Sequence, residues 1–247
     1  MELLNVTKFV KIILGEIMKV FAISDLHLSI NSEKPMDIFG PVWDGYLEEI
    51  EKDWNQKVSD DDVVLISGDI SWAMRLGEAV DDLNYIKSLR GNKVIIKGNH
   101  DYWWSAIGEL RRNLDEKTFA LQNDAVRFDG VVVCGSRGWT VPEGMVESQD
   151  EKIYKRELIR MDLSLRSAQV LRQDGDKLIV MTHFPPFNYK MEDSEMMSLF
   201  EKYNVDIVVF GHLHSYDKKQ KLVFEKNGIK YYLTSCDLVE NKLVEIL

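Results

Sequence analysis

Five times this chain passes through a short, mostly β-branched apolar run and then stops on residues that bind metals or move protons. "FAIS" leads to Asp25 and His27, and "VLIS" leads through Gly68 to Asp69. "VIIK" leads through Gly98 to Asn99, His100 and Asp101, "LIVMT" leads to His183, and "VVFG" leads to His212 and His214. β-branched residues suit a pleated, buried surface, so each run reads as a strand. Gly98 reads as a strand-ending turn residue, because glycine takes positive φ without steric cost. In open α/β sheets ligands sit at the C-terminal ends of strands, where all of these polar residues fall.

The remaining pattern supports that class. Strand-like runs cover 19–24, 62–67, 93–97, 130–135, 177–182, 205–211, 230–235 and 242–247. Between them, "YLEEIEKDWNQK" aligns Leu47, Ile50 and Trp54 on one helical face, and "EAVDDLNYIKSL" does the same with Val80, Leu83 and Ile86. Further helical patterns run through 105–114 and 150–173. Alternating helices and strands, then late strand pairs, predict an α/β sandwich; whether the strands form one sheet or two does not follow from the pattern.

No low-complexity tract or repeat divides the 247 residues, which read as one domain over 18–247. Residues 1–17 are too short and too charged an apolar segment for a membrane span, and no secretory cleavage pattern follows them. Leu14, Gly15 and Glu16 can be encoded by codons spelling a purine-rich ribosome-binding sequence ahead of Met18. We therefore read residues 1–17 as an over-extended gene start. The net charge of −10 disfavours nonspecific nucleic-acid binding without excluding a nuclease, since bound cations would invert the local field. Cys134 and Cys236 lie in apolar, strand-like contexts and read as buried free thiols of a cytoplasmic protein.

Each of the five histidines belongs to one of these strand ends, and none is left over. Singly, a histidine after a strand is an ordinary loop residue and an aspartate an ordinary cap or turn former. Together, nine polar groups converging on one volume are costly unless a cation compensates them. Neutral imidazole and carboxylate are ligands for Mn²⁺, Fe or Zn²⁺, with no preference readable among the three. A two-metal site also needs a bridging anion, which Asp69 can supply.

The ordered set D-x-H, G-D, G-N-H-D, H and G-H-x-H, from Asp25 to His214, resembles the calcineurin-like metallophosphoesterase superfamily. The resemblance implies a four-layer αββα sandwich with two central mixed β-sheets flanked by helices and a dinuclear metal centre at the strand ends. It implies Asp25, His27 and His214 as ligands of one divalent ion, Asn99, His183 and His212 as ligands of a second, and Asp69 as the bridge. His100 is implied to face the substrate phosphate, where an imidazole titrating near neutrality can protonate the leaving oxygen or stabilise charge. The metals are implied to activate water and align its attack. Asp101 either orients His100 or caps a helix starting near Tyr102.

Where the Ser/Thr protein phosphatases of that superfamily carry an Asp-Arg-Gly element, this chain reads "GDISWAMRLGE", with Trp72 and Arg75 in the region. The resemblance is therefore to bacterial-type phosphohydrolases and leaves the partner of His100 unassigned. Arg137, set between Gly135 and Gly138 in "GSRG", is a substrate-binding candidate for a phosphate; the alternative is an ion pair with Glu143 or Glu147. Trp72, Tyr102, Trp103, Trp104, Trp139 and Tyr216 either pack the core or wall the site. "FPPFNYKMED" reads as a rigid rim presenting Tyr189 and Met191.

The expected activity is metal-dependent hydrolysis of a phosphomonoester or phosphodiester on a small molecule or nucleotide. A nuclease is the alternative within that chemistry, without a basic track to support it. A non-catalytic scaffold is the alternative outside it, although such a protein has no need to keep every ligand.

Overall fold

The central parallel strands β1, β2, β6, β7 and β8 are buried on both faces, which explains their unbroken apolar runs. The computed structural model describes residues 18–31, 34–142, 149–214 and 221–247. β1 (Val20–Ile23), β2 (Val63–Ile66), β3 (Asn92–Ile95) and β4 (Thr118–Ala120) lie side by side and parallel. β5 (Ala125–Phe128), β6 (Val131–Gly135), β7 (Lys177–Met181), β8 (Ile207–Phe210), β9 (Val223–Lys226) and β10 (Ile229–Leu233) build a second sheet in the order β5-β6-β7-β8-β10-β9. β11 (Val244–Glu245) returns to the first sheet and pairs antiparallel with β1. Both sheets are mixed, and the edge strands β5 and β9 of the second are antiparallel.

Successive residues of a strand face different cores. Val20, Ala22, Val63, Leu65 and Val94 meet Val131, Val133, Ile179, Met181 and Val209 between the two sheets. The alternate residues Phe21, Ile23, Val64 and Ile66 pack under α1 (Tyr46–Lys57) and α2 (Val80–Ser88), where Trp54 and Ile86 are fully buried. On the other side Val132, Val180, Val208 and Phe210 pack under α4 (Gln149–Leu171) and α5 (Glu195–Lys202) through Met161, Leu165 and Phe200. The short α3 (Ile107–Arg112) lies beside β4. This is the expected four-layer αββα sandwich.

Register positions the site. Ile23 pairs with Ile66 and Ile66 with Ile95, so the segments carrying Asp25, Asp69 and Asn99 leave the first sheet at one level. Met181 pairs with Val209 and Phe210 with Leu233, which does the same for His183, His212 and Asp237 in the second. The sheets meet at this end, where Ser24 bridges Ser235 and its N–H donates to the Thr234 carbonyl at 2.8 Å.

All eight strand-like runs contain strands, whereas β4, β5, β9 and α5 were not foreseen. β4 is three residues long, and β5 and β9 are half-exposed edges, so none carries a continuous apolar run. Cys134 and Cys236 are buried and free, as expected. Among the described residues, no helix is long and apolar enough to cross a membrane. The expectation for residues 1–17 lies outside the described residues.

Candidate active site

Four of the expected ligand residues hold left-handed backbone conformations: Asp25 at φ 59°, His27 at 46°, Asp69 at 50° and His212 at 72°. Non-glycine residues avoid this region, and their concentration in one place marks strain held by the surrounding packing. The glycines beside them serve close approach. A Cβ on Gly98 would lie 2.1 Å from Asp69 Oδ1, one on Gly68 2.8 Å from His183 Nδ1, and one on Gly211 2.3 Å from Asp25 Oδ2. Gly98 thus corrects an expectation, because it is not among the positive-φ residues. It is glycine because the Asp69 carboxylate fills the space of a side chain.

The donor atoms converge in two overlapping groups. In the first, His214 Nε2 is 3.4 Å from Asp25 Oδ1 and 3.4 Å from His27 Nε2. In the second, His183 Nε2 is 2.6 Å from Asn99 Oδ1 and 3.4 Å from Asp69 Oδ2. The ligand atoms of Asp25, His27 and His214 lie within 4.8 Å of one another, and so do those of Asp25, Asp69 and His183. Asp69 Oδ2 also lies 3.9 Å from His27 Nε2, so both carboxylates border both groups. The His212 N–H donates to both oxygens of Asp25, at 3.1 and 3.0 Å, and its ring centroid is 5.0 Å from that of His183.

Proton bookkeeping shows what this arrangement lacks. His183 Nδ1 faces the Ser67 carbonyl at 3.0 Å, which can only accept, so the ring proton sits there. Burial holds the His183 pKa down to about 4, so Nε2 presents a lone pair to the Asn99 oxygen with no proton between them. His27 is fixed neutral in the same way, lowered to about 3 chiefly by burial, and its buried Nδ1 has no partner. Burial and the Asp101 and Asp25 carboxylates push Asp69 up to about 8. Against the opposing effect of burial, bonds to Asp237 and Asp25 lift His214 to about 10. Buried lone pairs facing one another call for a cation, and the oxygen and imidazole donors suit a divalent transition ion.

His100 stands at the edge of this cluster. Its N–H donates to Asp69 Oδ1 at 2.8 Å, and its half-buried ring rests 4.6 Å from Trp72, which in turn stacks on His27 at 4.7 Å. Burial and the His214 charge lower the His100 pKa, so the ring is neutral at pH 7. Asp101 takes neither expected role. Its fully buried carboxylate accepts from the Gly98, Ile70 and Ser71 N–H groups at 2.7, 2.9 and 3.1 Å and from Trp103 Nε1 at 2.9 Å. It bonds no ring atom of His100 among the described residues, and no helix begins at Tyr102. Asp101 clamps the Asp69 and Asn99 loops together, and packing against Trp72 orients His100.

Arg137 lies close enough to feel the Asp69 charge, with its guanidinium 4.6 Å from the Trp139 ring and 3.8 Å from Glu157. Its alternative partners Glu143 and Glu147, and also Tyr216, lie outside the described residues. Trp103 and Trp104 are core residues, whereas Tyr102 stands exposed beside His100. Tyr189 is exposed at the rim, Met191 is partly so, and Arg75 is exposed in the turn before α2.

One functional residue escaped the sequence reading. Asp237 Oδ1 is 3.1 Å from His214 Nδ1, the carboxylate-behind-imidazole arrangement that fixes a ligand tautomer. The signal was present, since "YYLTSCD" is another apolar run ending on an aspartate.

The two-sheet sandwich gathers carboxylates and imidazoles at its strand ends, the donor set of a divalent-metal site. In agreement, the sequence pattern of the calcineurin-like phosphoesterase family matches residues 18–216, and the chain belongs to that family. Among individual proteins, it is 25% identical over 206 residues to an uncharacterized metallophosphoesterase of Helicobacter pylori, a match covering 80% of this chain and 45% of that protein. The chain therefore spans less than half the length of that relative. Phosphopantetheinyl hydrolase from Mycobacterium tuberculosis has a similar fold, with a TM-score of 0.56 at 15% identity over 94% of this chain and 97% of that one.

Proposed function

We propose that this protein hydrolyses a phosphomonoester or phosphodiester bond of a small molecule or nucleotide at a centre of two divalent ions, Mn, Fe or Zn. The carrying observation is the convergence of buried carboxylate and imidazole ligand atoms in two groups that share Asp25, with Asp69 bordering both. In this reading Asp25, His27 and His214 hold one ion, Asn99, His183 and His212 the other, and Asp69 lies between them. Ions bound there supply charge to neutralise phosphoryl oxygens and acidify water enough for attack at neutral pH. Asp237 holds His214 in the ligating tautomer, and Asp101 fixes the loops that carry Asp69 and Asn99. His100, adjacent to the cluster but not within either donor group, stabilises charge on the leaving oxygen through a ring N–H held in place by Trp72. Arg137, with its guanidinium toward the Asp69 side, binds a phosphate of the substrate. Two buried free thiols suit work in a reducing cytoplasm.

The test is hydrolysis of p-nitrophenyl phosphate against bis-p-nitrophenyl phosphate after metal removal and reloading with Mn²⁺. The expected result is cleavage that requires the metal and falls by about 10²–10⁴ in His100→Ala without loss of bound metal. Undiminished cleavage by His100→Ala would remove His100 from the chemistry. Metal binding without cleavage of either ester would favour the scaffold alternative.

A further inference from the structure

The two oxygens of Asp25 are held differently, and the difference comes from Ser24, the fully buried residue that follows β1. Oδ2 accepts from the Ser24 hydroxyl at 2.5 Å and from the His212 N–H at 3.0 Å. Oδ1 has only the longer share of that N–H, at 3.1 Å, and it is the oxygen that faces His214 Nε2 at 3.4 Å. A carboxylate oxygen has about two lone-pair sites, so Oδ2 is filled by donors of the chain while Oδ1 is left for a ligand.

Ser24 is fixed where the two sheets join. Its N–H donates to the Thr234 carbonyl at 2.8 Å, and its own carbonyl accepts from the Cys236 N–H at 3.0 Å. Thr234 Oγ1 lies 3.3 Å from Ser24 Oγ and 3.1 Å from the Phe210 carbonyl. A hydroxyl has one proton to give, and the short contact to a carboxylate takes the one on Ser24. Thr234 therefore donates, to Ser24 or to Phe210, and does not compete for that proton. Gly211 leaves space for the pair, since a Cβ there would strike both Ser24 Oγ and Asp25 Oδ2.

We propose that Ser24 is a positioning residue that occupies Asp25 Oδ2, so that the carboxylate gives a metal one oxygen and not two, and that it thereby sets the preference of the site for Mn²⁺ over Ca²⁺. Calcium takes roughly six to eight oxygens and readily uses two-oxygen carboxylates, so a ligand limited to one oxygen handicaps it against a smaller transition ion. This rests on the reading above that Asp25 is a metal ligand and extends it from which residues bind to which ions they admit.

The test measures Mn²⁺ and Ca²⁺ dissociation constants of the metal-stripped full chain, by competition with a chelating dye, in the native protein, in Ser24→Ala and in Thr234→Val. Ser24→Ala frees Oδ2, and the ratio of Ca²⁺ to Mn²⁺ affinity is expected to rise by about tenfold, the scale on which groups behind a metal ligand act. Thr234→Val removes the neighbouring hydroxyl from the same buried junction with little change of shape and without touching Asp25, so its ratio should stay near the native one. Melting temperatures confirm that both variants are folded. An unchanged ratio in Ser24→Ala, including a parallel fall in both affinities, would overturn the role of Ser24. An equal rise in Thr234→Val would overturn it too, by tracing the effect to packing at the junction. If the native protein binds neither ion, the metal-centre reading itself fails and this proposal with it, whereas native Mn²⁺ binding with an unchanged ratio in Ser24→Ala removes the proposal alone.

Discussion

Aspartates stand at both ends of the two sheets, and the two sets behave in opposite ways. At the N-terminal ends, Asp62 accepts from the Lys19 and Ser59 N–H groups, both at 2.7 Å. Asp206 accepts from the Leu178 N–H at 2.9 Å and from Lys177 and Arg172 at 2.8 and 3.0 Å. Asp176 takes Arg127 at 2.7 and 3.0 Å and the Gln173 N–H at 2.9 Å. At the C-terminal ends, Asp69 has one backbone donor, and its other oxygen faces two neutral imidazoles at 3.4 and 3.9 Å, the nearer of which has its ring proton on the far side against the Ser67 carbonyl. The lesson is that an aspartate at a strand end is structural when the chain supplies its donors. It is functional when the chain surrounds it with other acceptors.

That contrast can be broken by experiment. The largest effect is expected for Asp69→Asn, which should lose bound metal, measured by elemental analysis, together with all detectable esterase activity. Retention of both would mean that the crowded acceptors are not a metal site. Next comes Asp237→Asn. Removing the carboxylate behind His214 should weaken metal affinity by about 10–100-fold while leaving turnover at saturating metal largely intact. An unchanged metal dissociation constant would reduce Asp237 to a surface contact.

The pH dependence of metal affinity sharpens the same point. In the metal-free protein Asp69 is protonated below about 8 and His214 below about 10. An incoming ion must displace those protons, so acid opposes binding. The logarithm of affinity should rise about two units per pH unit below 8, about one between 8 and 10, and level off above. Competition with a chelating dye across that range measures it, and a flat profile would contradict the assignment of both groups. The smallest effect belongs to the opposite end. Asp62→Ala strands two backbone donors and should lower the unfolding free energy by about 1–3 kcal/mol without changing metal affinity. A change in metal content there would erase the contrast between the two ends.

How much of this could be read from the chain differs by element. The central parallel strands were legible because burial on both faces leaves an uninterrupted apolar signature. β9 was not, since its residues alternate between exposed and half-buried at a sheet edge. The metal-ligand candidates were legible because each follows such a strand directly, in a chain whose histidines occur nowhere else. Asp101 was misread because its neighbours in sequence are catalytic candidates, whereas its four donors come from Gly98 and Trp103 nearby and from Ile70 and Ser71 some thirty residues away. The Trp72 ring, held between His27 and His100, is equally silent in one dimension.

The sequence alone determined the α/β class, the end of the strands at which chemistry gathers, and the residue types available there. These depend on local periodicity and on which side chains can ligate or titrate, and both are written in consecutive residues. The tertiary structure alone decided that Gly98 makes room for a carboxylate, that Asp101 is a clamp, and that Asp237 stands behind His214. Each of these is a matter of which groups satisfy one another. Hydrogen-bond and charge satisfaction is settled by register and packing between strands far apart in the chain.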